Sequence, residues 1–576
     1  MKKITFLVFF LFVAFYGQSQ ALIDLRLEKE MERCSDDEKI GVVVLMKSQY
    51  DRMLLDLRAG YCRSRAERRD LVVSELKNYA EASQYDLKQT LAELERCDLV
   101  SGPKTLWSAN ALFFAATKDV IFDLSKRSDI AMIGFDHKEN LIPETEPARP
   151  VSSNRETVPG IYQVNADKVW ELGYRGEGVV VAVVDSGVNY NHLDVSDHLW
   201  DGGEAFPHHG YDVVNGDDDP MDDKGHGTHC AGTVLGDGSA GSLTGMAPEA
   251  TLMCVKSIDA EGFGGAVNIA GGMEWSVEHG CDLISMSLGM VNSEIPDREL
   301  LRRSCISVMD AGIVAAVCAG NEGHIQFYCP IPNNIRVPAS CPPPYLDPDQ
   351  LENPGELSCV IAVGAVNNSD VAAYFSSQGP VTWTNTEFGD YPYEPGIGLI
   401  RPDLCAPGVG IKSLDYQTTD GYCDMDGTSQ ATPCLAGVVA LMLNKNPDLL
   451  PADICRILEE TSVKLTETKS NVTGVGRIDA LAAIQQVPTW DKVPEAEFAH
   501  AEVYPNPTND RFTVLCEGMK EAAVLSLDGK LAKTIGADGH GSLEGLIPGV
   551  YLLRITTDKG VLVKKIVKGG YLTTNF

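Results

Sequence analysis

The chain has 576 residues and a formal net charge of −33, with 48 Lys and Arg against 81 Asp and Glu. That length supports several domains and at least one large core. So acidic a balance excludes nucleic acid as a partner, since phosphate binding needs a basic face, and it suits a soluble, exported protein that does not adhere to anionic membranes.

The sequence opens on MKK, an apolar run over 4–16, and the small polar stretch GQSQA. A basic start, an apolar middle too short to span a bilayer, and small residues after it describe a secretory signal over 1–20, cleaved near residue 20. Residues 21–145 form a small α+β unit. It comprises the strand-like run KIGVVVLMK, a long charged helical stretch from Arg63 to Leu99, a second helical piece KDVIFDLSKR and the strand-like IAMIGFD. The polar, Pro-containing stretch over 146–160 has linker character with little to pack.

From 161 to 487 the texture changes. Apolar runs VVVAVVD, LISMSLG, IVAAVCAG and VIAVGAV alternate with helical stretches such as AVNIAGGMEWSVEHG. Continuous apolar strands spaced by helices predict an α/β fold, a parallel sheet with helices on both faces. Sites in such folds collect at the carboxyl ends of strands, where Asp185, Ser287 and Asn321 stand. A short linker over 488–500 leads to 501–576, whose short strand-like runs between turns predict a small all-β sandwich.

Export permits disulfides, and there are 16 Cys. Cys254, Cys281, Cys318 and Cys359 lie in apolar runs and read as buried thiols. Cys329 and Cys341 flank the Pro-rich CPIPNNIRVPASC and are the pair expected to bond.

Three stretches of the middle segment carry chemistry. VAVVDSGVNYNHLD delivers Asp185 from an apolar strand into a Gly-containing turn, DDKGHGTHCAGTV holds His226, and DGTSQATPCLAGVVALML opens an apolar helix at Ser429. A hydrolytic nucleophile needs a base for its proton, and the base an orienting carboxylate. A serine at a helix N-terminus also meets backbone N–H groups that favour developing negative charge. Taken singly, each stretch reads equally as a turn or a helix cap. His226, His229 and Cys230 together also have the residue types of a metal cluster, but the Glu of a His-Glu-x-x-His helix is lacking.

Together, and in this order, the three stretches resemble the catalytic blocks of the subtilisin-like serine proteases. The resemblance implies an orienting acid at Asp185, a general base at His226, a nucleophile at Ser429 and a side-chain oxyanion donor at Asn321. By it, Ser287, Leu288 and Gly289, with Gly262 and Gly264, pair with an extended substrate, and Gly320 and Glu322 lie by the primary specificity pocket. His229 is then a packed helix residue and Cys230 a thiol behind the base. Gln430, Cys434 and Leu435 depart from the family pattern, and 324–358 and 381–400 are unmatched. The loop YDVVNGDDDPMDDKGHG places Asp212, Asn215, Asp217 and Asp219 close in sequence, which suits calcium or equally a solvated acidic loop. Asp194 falls where many members bind a second calcium.

Residues 21–145 resemble the family's inhibitory propeptides, which implies a self-inhibited precursor cut between about 137 and 160. The tail VYPNPTNDRFTV…LIPGVYLLRITTDKGVLVKKIVKGG resembles the C-terminal sorting domain of the type IX secretion system of Bacteroidetes. That implies export through the periplasm and outer membrane by contact with its machinery. The alternative is a retained sandwich that binds substrate or surface sugar. The reading of the whole is a secreted, monomeric endopeptidase acting on protein or peptide substrates. A catalytically silent peptide-binding relative is the alternative.

Overall fold

The computed structural model describes residues 21–143, 148–153, 155–291, 293–344, 350, 359–383, 398–490 and, with short gaps, 501–569. The signal stretch, the residues 144–147 and the linker residues 491–500 lie outside the described residues. Two compact units divide between Trp490 and Asp491.

The first unit is built on a seven-stranded sheet. In chain order its strands are β1 (Val180–Asp185), β2 (Gly210–Asp212), β3 (Thr251–Lys256), β4 (Leu283–Met286), β5 (Val314–Cys318), β6 (Ile361–Val366) and β7 (Leu404–Pro407), arranged β7-β6-β5-β4-β1-β3-β2 with every pairing parallel. The strands are apolar at nearly every position because both faces are covered. Val181 and Val183 enter one buried cluster while Ala182 and Val184 enter the other. A strand turns successive side chains to opposite faces, so one short segment supplies both cores. Each buried Val or Leu contributes about 1.5–3 kcal/mol. The helices used below are α1 (His226–Leu235), α2 (Ala266–Glu278), α3 (Ile295–Asp310) and α4 (Thr428–Lys445).

Residues 21–143 do not form a separate body. Their five-stranded sheet takes the order Leu22–Ile23, Ile130–Phe135, Lys39–Met46, Ala111–Thr117, Val100–Leu106. Val42 and Val44 point into this layer's own core, while Val43 and Leu45 join the cluster that holds Leu300 and Leu301 of α3. The helical stretch expected over 63–99 is two helices, Arg65–Ser83 and Tyr85–Arg96. They break at the buried Gln84, whose amide donates to Asn110 Oδ1 at 2.8 Å and to the Ala111 carbonyl at 3.2 Å. Polar contacts close the seam. Arg65 donates to the Asp282 carbonyl (2.9 Å), Asp282 Oδ1 (2.7 Å) and the Pro447 carbonyl (2.8 Å), and Arg26 pairs with Asp297 and Arg52 with Asp310.

Two expectations are corrected. The stretch over 146–160 is not a free linker: Arg149–Val151 pairs antiparallel with Tyr422–Met425, placing Val151 opposite Tyr422. The edge of the hairpin formed by Ile411–Leu414 and Tyr422–Met425 offers unpaired backbone groups, and an extended Pro-containing segment is well suited to such an edge. Cys329 and Cys341 are not bonded, and all sixteen cysteines are thiols. Cys341 is buried beside Cys305 and Cys359, while Cys329 is only half-buried.

The second unit is all-β. One antiparallel sheet joins Ala501–Tyr504, Arg511–Cys516 and His540–Ser542, and another runs Leu531–Ile535, Met519–Leu525, Gly549–Thr557, Gly560–Lys568. Phe512, Val514, Val524, Leu553 and Ile555 form their shared core.

The N-terminal layer buries Glu274 of α2, which accepts from the Ser108 backbone N–H at 2.7 Å. That burial pushes its carboxyl up to about 8. An undocked Glu ionises near 4.3, so the docked state holds the extra proton between these values, and docking weakens as pH rises from about 5 to 8. Limited proteolysis of the full-length protein is expected to release 21–143 faster at pH 8 than at pH 5, and Glu274→Gln should flatten that dependence.

Candidate active site

Five segments, three at the carboxyl ends of strands and two at the starts of helices, build one buried cluster. Asp185 closes β1, Ser287 follows β4, Asn321 lies just beyond β5, and His226 and Ser429 are the first and second residues of α1 and α4. Asp185 and Ser429 are fully buried and Asn321 is 3% exposed.

His226 Nδ1 lies 2.7 Å from Asp185 Oδ1, and that oxygen also accepts from the Ser186 backbone N–H at 2.8 Å. His226 Nε2 is buried without a hydrogen-bond partner. Burial by itself would lower the imidazole's pKa, but the Asp185 carboxylate outweighs it, so His226 binds its proton well above 6.5. The Ser429 hydroxyl donates to the Ser287 carbonyl at 3.3 Å, and the Ser287 hydroxyl donates back to the Ser429 carbonyl at 2.7 Å.

That Ser429 carbonyl is available because of a residue the sequence reading passed over. Pro433 lies inside α4, four positions on, and has no N–H to give it. The carbonyl therefore takes Ser287 Oγ and the Cys230 thiol, whose Sγ sits 3.5 Å away and 4.0 Å from His226 Nδ1. Asp185, His226 and Cys230 are accordingly the one group of three metal-capable side chains found among the described residues. The cluster has another explanation, since burial raises the Cys230 thiol's pKa and keeps it protonated as a donor.

Asp222 was also missed, although it stands four residues before His226 in DDKGHG. Its buried carboxylate accepts from Ser186 Oγ (2.9 Å), the backbone N–H of Lys224 (3.0 Å), Gly225 (2.8 Å) and Thr228 (2.9 Å), and Thr228 Oγ1 (2.5 Å). A single carboxylate thus satisfies the open N-terminus of α1 and ties it to the turn after Asp185. Gly225 precedes the helix at φ +99°, where a Cβ would also stand 2.4 Å from the Tyr416 ring. His229 faces away: Nε2 lies 3.0 Å from the Ile411 carbonyl and 3.2 Å from that of Cys423, so it carries the proton there. Burial and the nearby His226 lower its pKa to about 3.

Asn321 Oδ1 accepts from the Thr428 backbone N–H and from Thr428 Oγ1, both at 2.9 Å. The acceptor end of the amide is thereby assigned, leaving NH2 as the donor end at the site. The expected substrate edges flank a stretch of this same chain. Phe263–Gly264 pairs antiparallel with Glu139–Asn140, the Leu141 N–H donates to the Gly262 carbonyl at 3.0 Å, and the Gly289 N–H donates to the Leu141 carbonyl at 2.9 Å. Leu288 is buried behind Gly289, and Gly320 and Glu322 border the same crevice through the Glu322 carboxylate.

The chain matches the Subtilase family over residues 176–478. It belongs to the subtilase family. Serine protease AprX of Bacillus subtilis is 34% identical over 335 residues, covering 53% of this chain and 66% of that protein. Subtilisin DY of Bacillus licheniformis is 32% identical over 331 residues, 57% of this chain and all of that protein, and subtilisin E of Bacillus subtilis is 32% identical over 375 residues, 64% and 80%. Residues 502–569 match a secretion system C-terminal sorting domain, so this subtilase is exported by the type IX route to the cell surface or beyond. No helix among the described residues is long and apolar enough to cross a membrane.

The two calcium expectations separate here. Asp194 does not fit a cation: its buried carboxylate accepts from the Tyr422 hydroxyl (2.7 Å) and the Ala240 N–H, so a phenol and a backbone group fill the place of an ion. The loop over 212–219 differs. Asp212 accepts from the N–H groups of Val214 and Asn215 and from Asn215 Nδ2, while Asp217 and Asp219 each turn Oδ1 to a backbone N–H. The Asn215 carbonyl and the second oxygens of Asp217 and Asp219 are of the hard oxygen type that calcium prefers, but the carboxylates of Asp212, Asp217 and Asp219 are not gathered within ligating distance of one another.

Nuclear magnetic resonance of the imidazoles should show His226 titrating above pH 6.5, while His229 stays neutral as a Nε2–H tautomer down to about pH 3.

Proposed function

We propose that this subtilase is a secreted serine endopeptidase, monomeric, and made as a precursor in which residues 21–143 inhibit the site until the chain cuts itself. The observation that carries the reading is the buried imidazole, with Nδ1 held by Asp185, Nε2 left without a partner, and the Cys230 thiol linking it to the backbone of Ser429 at a helix start.

In this mechanism the Ser429 hydroxyl turns from the Ser287 carbonyl toward Nε2 of neutral His226. Oγ attacks the peptide carbonyl as the imidazole takes its proton, and Asp185 stabilises the imidazolium that forms. The charge on the tetrahedral oxygen is met by Asn321 NH2 and by the Ser429 backbone N–H in the first turn of α4. His226 then delivers the proton to the leaving amine, and water, activated by the same base, hydrolyses the acyl-enzyme. Residues Glu139–Ile142, seated between the two substrate edges, support both the inhibitory role of the N-terminal layer and a cut shortly after them.

Fluorophosphonate is expected to label Ser429 in the processed wild type. Ser429→Ala should abolish labelling and leave the precursor at full length, while Asn321→Ala should lower turnover by about 10²–10³, as removal of one oxyanion donor does. Normal trimming of Ser429→Ala would assign the cut to another protease, and an unlabelled Ser429 would leave the peptide-binding reading.

We propose also that Asp212, Asn215, Asp217 and Asp219, whose oxygens would have to draw together on binding, hold a calcium ion that ties their loop without touching the chemistry. Chelator should lower the melting temperature by a few degrees, and calcium should restore it. No change would remove the ion from the account.

A further inference from the structure

Arg336 lies between Gly289 and Gly320, which the subtilase resemblance places on the two walls bordering the side chain that precedes the scissile bond. Its stem lies against both, since a Cβ on Gly289 would come within 2.9 Å of Arg336 Cβ and one on Gly320 within 3.1 Å of Arg336 Cγ. Its backbone is anchored there, with the Arg336 N–H donating to the Ala319 carbonyl at 3.0 Å and Val337 exchanging hydrogen bonds with Met290. The side chain is buried and pairs with Glu322, Nε at 2.9 Å and Nη2 at 2.7 Å from Oε1. The remaining arm is turned to the bound segment: Nη1 donates to the carbonyls of Gly289 (2.8 Å), Asn140 (3.2 Å) and Leu141 (3.2 Å).

A large apolar side chain entering this crevice would have to expel a buried guanidinium and leave Glu322 with only the Ser377 hydroxyl and no cation to balance its charge. A carboxylate instead replaces neutral carbonyl acceptors at Nη1 with a charged one, which forms the shorter and stronger bond. The chain itself supplies such groups where its cut is expected: Leu141-Ile142-Pro143 is followed by Glu144 and Glu146.

Resting on the hydrolase reading above, we propose that Arg336 is the specificity-determining residue of the primary pocket and selects an acidic residue, glutamate or aspartate, on the amino side of the cleaved bond.

The test uses the processed wild-type enzyme and matched fluorogenic peptides differing only at that residue, Glu, Ala or Phe. A kcat/KM for Glu at least tenfold above that for Phe and Ala is expected, together with a mature N-terminus at residue 145 or 147 by end sequencing. The double variant Arg336→Gln, Glu322→Gln leaves no buried charge unpaired and should abolish the Glu preference. A best rate with Ala, or with Phe, or a self-cleavage site after an apolar residue, would overturn the assignment. So would an unchanged Glu preference in the double variant. Fluorophosphonate labelling of Ser429 separates the two failures: labelling with a flat or apolar profile overturns the pocket alone, whereas absent labelling overturns the pocket and the hydrolase reading together.

Discussion

The 2.7 Å contact between Asp185 and His226 is the interaction around which the first unit is organised. It joins the end of one strand to the start of a helix forty-one positions later, in a place where neither side chain has water to fall back on. Such a bond survives only if both partners are immobilised, and the immobilising group is Asp222. By accepting from Ser186 on one side and from the first turn of α1 on the other, it makes strand end and helix start a single rigid object. The parallel sheet supplies the rest, because its strands all end on one side and bring Ser287 and Asn321 to the same edge.

Proline and cysteine at the site share one physical account. Pro433 removes a helical donor, the Ser429 carbonyl is released, and the Ser287 hydroxyl and the Cys230 thiol satisfy it. A polar group buried without such partners would cost about 1–3 kcal/mol, so the three residues form one interdependent set. The histidine-histidine-cysteine pattern that resembles a metal cluster therefore divides into a base, a neutral donor to two carbonyls and a protonated thiol.

The N-terminal layer extends the same economy across a larger surface. One face of its sheet closes its own core and the other completes the core over α2 and α3, where Glu274, Asp297 and Asp310 are buried with it. Covering Glu274 in this way makes the seam responsive to proton concentration, because the buried carboxyl holds a proton that an exposed one releases. The tail closes on its own aromatic and aliphatic core.

Local sequence determined the apolar strands, the glycine turns that carry Asp185, His226 and Ser429, and the turn-rich tail, because period and turn chemistry are written within a few residues of each other. The Arg63–Leu99 helix was legible for that reason, and its break at Gln84 was not, since the cause is an amide bonded to Asn110 and Ala111 across the layer. The free state of Cys329 and Cys341, the pairing of Arg149–Val151 with a distant hairpin and the replacement of an ion at Asp194 by the Tyr422 hydroxyl all depend on partners far away in the chain. Arg336 is the clearest case. In NNIRVPAS it is an unremarked cation, and only the tertiary structure folds it between Gly289 and Gly320 and against Glu322.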